Sequence, residues 1–219
     1  MTFPSRFRLV NLIIGATIGL NTGCLGFSMI SMPAGNEQEG GKVLYDFRVM
    51  TSLDKWKESS DTVRTPGMSK GAFVLQKSQL FQRAVFFSLL NPQPNGAGFV
   101  SFYTADHLNL TGFNGIEMKV RGQGENMVYK LMFKHEGHTM DDGSVSYQAF
   151  FEVPLREWKV VTVPLDSFKA YFRGRLQPDA KPLDRSQISL IGLQIVGGVY
   201  SDFKQAGTAS LEIDYIKAV

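Results

Sequence analysis

Cysteine is nearly absent: Cys24 is the only one, so no disulfide can form within the chain. The fold therefore needs no covalent staple, which suits a reducing compartment and is tolerated in an oxidising one. Histidine is scarce as well, with only His107, His135 and His138. The one thiol lies near the start of the sequence, so cysteine-based nucleophilic catalysis lacks a candidate constellation. A clustered basic stripe is missing too. The net charge of +3 comes from 23 Lys and Arg interspersed among 20 Asp and Glu, unlike the electrostatic footprint of a nucleic-acid binder. No segment keeps a sustained helical period, apart from one turn around Leu183–Gln187.

What is present points to strands. Phe (17), Tyr (7) and Trp (2) are abundant, and these residues favour pleated, half-buried surfaces. A length of 219 residues suits one domain with a leader, large enough to bury roughly 70% of its unfolded surface. Short β-type runs recur at 43–47, 72–75, 84–89, 99–104, 116–121, 128–134, 147–153, 159–164, 190–196 and 210–217. Turn residues separate them, as in Asn91-Pro-Gln-Pro-Asn-Gly96, Gly112-Phe-Asn-Gly115 and Asp141-Asp-Gly143. Ile116, Met118 and Val120 alternate with Glu117, Lys119 and Arg121; Tyr129, Leu131 and Phe133 alternate with Lys130 and Lys134. This pattern predicts an all-β sandwich or barrel over residues 42–219.

Residues 1–41 read as a leader and linker. Arg6 and Arg8 precede an apolar run from Leu9 to Leu20, and no acid appears before Glu37, as in an organelle presequence. Leu20-Asn-Thr-Gly-Cys24 also resembles a lipoprotein box, so an exported or lipid-anchored protein is the alternative. A retained membrane helix across Leu9–Asn36 comes third. Gly35-Asn-Glu-Gln-Glu-Gly-Gly41 then links to the domain.

Several stretches invite a chemical reading. Gly122-Gln-Gly124 follows a strand, as a dinucleotide loop would, but the period-two pattern after it predicts a second strand and hence a hairpin turn. His135-Glu-Gly-His138 with Asp141 and Asp142 brings ligand-type side chains together, but only two are His and the segment reads as a solvated loop. Glu212 and Asp214 lie on one face of the last strand and so cannot flank a glycosidic bond; they read as a polar outer face. Arg173-Gly-Arg175 after Tyr171-Phe172 either grips a carboxylate, phosphate or partner, or pins its own loop.

Taken in order, other motifs resemble a family. Trp56 with Ser60-Asp61, then Pro66-Gly-Met-Ser69, is similar to the opening signature of the CIA30 family, named for complex I intermediate-associated protein 30. The similarity continues through Asn95-Gly-Ala-Gly-Phe99, Leu110-Thr-Gly-Phe-Asn-Gly-Ile116, Val120-Arg-Gly-Gln-Gly124, Trp158, Phe172-Arg-Gly174 and Leu211-Glu-Ile-Asp-Tyr-Ile216. The resemblance implies a galactose-binding-like jelly-roll β-sandwich and a non-enzymatic, mitochondrial assembly role for NADH:ubiquinone oxidoreductase. It implies complex I intermediates and other assembly factors as partners, association with the inner membrane being compatible, and no cofactor or metal. Gln123 and Pro66 stand where the family usually has Asp and Gly. A carbohydrate-binding module is the alternative function. The candidate partner or ligand surface comprises Trp56, Asp61, Arg121, Gln123, Tyr171, Phe172, Arg173 and Arg175.

Overall fold

The structure, a computed structural model, describes residues 41–94, 96–135 and 137–219. The leader, the linker up to residue 40 and the Cys24 box lie outside the described residues. The described chain runs β1 (Lys42–Asp46), β2 (Lys57–Ser60), β3 (Lys70–Lys77), β4 (Gln82–Leu90), β5 (Phe99–Leu108), β6 (Gly115–Gly124) and β7 (Val128–His135). It continues through β8 (Ser146–Glu152), β9 (Lys159–Pro164), β10 (Lys169–Phe172), β11 (Arg175–Leu176), β12 (Ile188–Val196) and β13 (Gly207–Ala218). Among the described residues no helix is long and apolar enough to cross a membrane.

The strands form two antiparallel sheets. The six-stranded sheet has the order β3-β4-β13-β6-β9, with β1 beside β13. The seven-stranded sheet has the order β11-β10-β8-β7-β12-β5-β2. β13 pairs with β4 through residues 207–213 and with β1 through residues 215–218, so both flank the same edge while β6 covers the other.

Alternation turns one face of each sheet inward. Phe86, Met118, Val120, Leu211 and Ile213 of the first sheet meet Tyr129, Leu131, Phe133, Ile191 and Leu193 of the second, all fully buried. A chain of aromatic contacts crosses this core from Trp56 through Phe73, Phe102 and Phe86 to Tyr129 and Phe151, with centroids 5.0–6.2 Å apart. Such edge and stacked pairs add about 0.5–1.5 kcal/mol each beyond area burial.

Two expectations are corrected. β6 and β7 do not form a hairpin: β6 pairs with β13 and β9, whereas β7 pairs with β12 and β8. Glu125–Met127 therefore carries the chain from one sheet to the other, and Gly122 and Gly124 end β6. A Cβ on Gly122 would lie 2.9 Å from the Leu155 side chain; Gly124 has φ +92°, with Thr208 O only 2.6 Å from where its Cβ would sit. The glycines answer close packing and a corner, both tertiary demands that resemble a turn signal in sequence. Around Leu183–Gln187 the chain makes a plain turn; single 3₁₀ turns occur instead at Asp61–Val63 and Leu165–Ser167.

Candidate functional site

The outer faces of the sheets separate the candidate residues into groups. Trp56 and Asp61 face inward. Trp56 packs half-buried between Tyr45 and Phe73 at 5.3 and 5.0 Å. Asp61 is buried and accepts the backbone N–H and hydroxyl of Ser69, both at 2.8 Å. This fixes the β2–β3 connection, in which Gly67 lies too close to Asp61 O for any side chain. Both residues serve the fold.

Arg121 and Gln123 sit on the outer face of the six-stranded sheet around Glu212. Arg121 donates to both Glu212 oxygens at 3.1 and 2.7 Å, Arg83 at 2.5 Å and the Gln123 amide at 3.2 Å. Burial alone would raise the Glu212 pKa; the hydrogen bonds from Arg121, Arg83 and Gln123 outweigh it and hold the carboxyl below its usual value. Trp158 lies 4.8 and 5.1 Å from the two guanidinium carbons, and Lys119 pairs with Asp214 at 3.0 Å. The carboxylates of β13 are thus charge nodes. Beside them Val74, Phe87 and Leu89 are exposed on adjacent strands β3 and β4.

Tyr171, Phe172 and Arg173 belong to a different place, a cleft of about 400 Å³ over the outer face of the seven-stranded sheet. The turn Phe172–Arg175 joins β10 to β11 with Arg173 and Gly174 both at positive φ, +48° and +77°. That is the geometry of a type I′ hairpin, in which the first position usually holds Asn or Asp. Tyr200 packs on Gly174, and Arg175 lies 5.2 Å from the Tyr200 ring, so Arg175 pins the 197–201 loop to the hairpin. Lys204 reinforces that loop by donating to the carbonyls of Gly198 and Ser201 at 2.6 and 2.8 Å.

Lys130, Met132, Lys134 and Gln148 form the floor, nearly as buried as the core although they point away from it. Lys134 is fully engaged, bonding Thr139 O at 2.6 Å, Asp142 Oδ1 at 2.9 Å and Ser144 Oγ at 2.9 Å. Lys130 has only the neutral Gln148 Oε1 at 2.9 Å, with the rings of Phe150 and Tyr171 4.6 and 5.2 Å away. Burial pushes its pKa down to about 8. The alternation in sequence sets Lys130 on the face opposite Tyr129, Leu131 and Phe133 and gives no sign of its burial.

The histidines hold loops. His135 stacks on Tyr147 at 4.5 Å and accepts the Asp184 N–H at 2.7 Å; His138 meets Asp142 at 2.9 Å. Among the described residues no three His, Cys, Asp or Glu side chains converge on a metal position.

A two-sheet sandwich with loops walling a cleft over one outer face defines the class: a galactose-binding-like β-sandwich. Solved structures agree on the fold. The family 11 carbohydrate-binding module of a Clostridium thermocellum cellulase superposes with TM-score 0.58 at 15% identity, covering 82% of this chain and 94% of that one. The same module solved with a mixed-linked tetrasaccharide gives TM-score 0.57 at 16% identity, covering 81% and 94%. The model of the family described as Complex I intermediate-associated protein 30 (CIA30) matches residues 45–213, and the chain belongs to that family. An uncharacterized Schizosaccharomyces pombe protein is 32% identical over 146 residues, 63% of this chain and 65% of that protein. Complex I intermediate-associated protein 30, mitochondrial, of Drosophila melanogaster is 22% identical over 190 residues, 80% of this chain and 61% of that protein. A Caenorhabditis briggsae protein named probable complex I intermediate-associated protein 30, mitochondrial, is 26% identical over 192 residues, 80% and 53%. The matches thus span roughly half to two-thirds of these relatives' own lengths.

Proposed function

We propose that this protein is a non-enzymatic assembly factor for respiratory complex I, acting in mitochondria by binding assembly intermediates and other assembly factors. One observation carries the reading: the CIA30 match extends through nearly the whole described sandwich, and two relatives bear the complex I intermediate-associated name. The outer face of the six-stranded sheet supports it. Phe87 and Leu89 are about half exposed there, next to the ordered Arg83–Glu212–Arg121 group. Apolar side chains left exposed beside paired charges on a sheet face suit docking of a protein partner.

The test is native-gel migration of the tagged protein. Co-migration with complex I intermediates is expected, and Phe87→Lys with Leu89→Lys abolishes it while stability stays within about 0.5 kcal/mol, as for other surface changes. Normal complex I assembly in cells lacking the protein overturns the reading.

A further inference from the structure

We propose that the cleft over the seven-stranded sheet binds a small ligand bearing a carboxylate or phosphate, with the Lys130 ammonium as its anion contact. Lys130 is 5% exposed, and among the described residues no carboxylate pairs with it. An ammonium has three donors, and here Gln148 takes one. A buried charge without an opposite partner works against folding, so its place in a cavity wall points to a partner supplied from outside.

The surroundings select the ligand's chemistry. Lys134 on the same strand is neutralised by Asp142, which leaves Asp141 as the remaining acid of the lining against Lys130, Arg64 and Arg173. The cleft therefore carries excess positive charge, and that favours an anion. Phe150 and Tyr171, edge-on to each other at 6.4 Å, offer apolar ring surface beside the ammonium. A volume of about 400 Å³ suits a small molecule. At the rim, Arg173 keeps a left-handed backbone that residues other than Gly, Asn and Asp seldom adopt, and from there presents a guanidinium fork able to grip two oxygens.

Isothermal titration of the full chain with inorganic phosphate, citrate and glucuronate, and with the neutral sugar cellotetraose, tests this. At least one anion should bind. Lys130→Met should weaken it about tenfold or more, Arg173→Ala several-fold, and the exposed-lysine control Lys159→Met not at all. The proposal is overturned if no anion binds up to about 10 mM, or if only cellotetraose binds. Wild-type affinity in Lys130→Met also overturns it; should that variant not fold, wild-type affinity in Arg173→Ala, which empties no buried position, does so. The assembly role stands on the opposite sheet, so either result leaves it testable on its own.

Discussion

The inner faces of the two sheets are built alike, from alternating aliphatic and aromatic side chains, whereas their outer faces solve opposite problems. On the six-stranded sheet every buried charge has its counter-charge: Glu212 with Arg83 and Arg121, Asp214 with Lys119. On that face both buried carboxylates are matched, and the apolar residues beside them stay open. On the seven-stranded sheet loops wall the face in, and of the two cations at its floor Lys134 has Asp142 while Lys130 is matched only by an amide and two rings. Charges that complete each other belong to the fold; a charge left incomplete in a cavity belongs to what enters it.

The sharpest way to break this contrast is to remove a charge from each face. Glu212→Ala strands two partly buried guanidiniums and should lower stability by about 3 kcal/mol in urea unfolding. Lys130→Met removes an uncompensated charge and should leave stability unchanged or about 1 kcal/mol higher. Equal losses from the two would erase the distinction.

Next in size is a pH effect confined to the cleft. Folding depresses the Lys130 pKa, to about 8, so in the free protein the charged form is full below that value and lost above it. Since an anion binds the charged form, affinity should be flat below pH 8 and fall up to tenfold per unit above it, about 1.4 kcal/mol each. Tyr171, raised by burial, Asp141, Arg64, Arg173 and the Lys134–Asp142 pair also face the cleft. The residual binding of Lys130→Met, titrated across the same range, separates their contribution and should lack the fall.

The smallest expected effect concerns Gln123, whose amide donates to Glu212. Gln123→Asp replaces that donor with a second carboxylate, and unfolding midpoints should report a loss of about 0.5 kcal/mol. A gain would mean that the two guanidiniums have capacity for both acids.

Much of this was legible beforehand, and the misses share a cause. All ten alternating or apolar runs are strands, because period two records directly which side meets the core. β2, Lys57-Glu-Ser-Ser60, is polar and short at a sheet edge, and β10 and β11 are shorter than any periodicity test resolves. The Gly122–Gly124 corner read as a hairpin since sequence shows that a backbone must bend, not which strand it bends toward. The aromatic and arginine patch at 171–175 was visible for the same local reason as any turn. Lys130 was not, because its burial depends on loops at 171–174 and 197–201, distant in sequence from β7.

The placement of β13 bears on how the domain is made. Lys42 faces Ala218, and the strand that β1, β4 and β6 all require runs from Gly207 to Ala218. Until those residues are available the six-stranded sheet lacks its central member and leaves the edges of three strands unpaired. Folding is therefore dominated by contacts distant in sequence, a topology that closes slowly. A nascent chain still short of Gly207 has no route to the native sandwich and carries open edges, so it is the stage at which this protein itself is most exposed to aggregation.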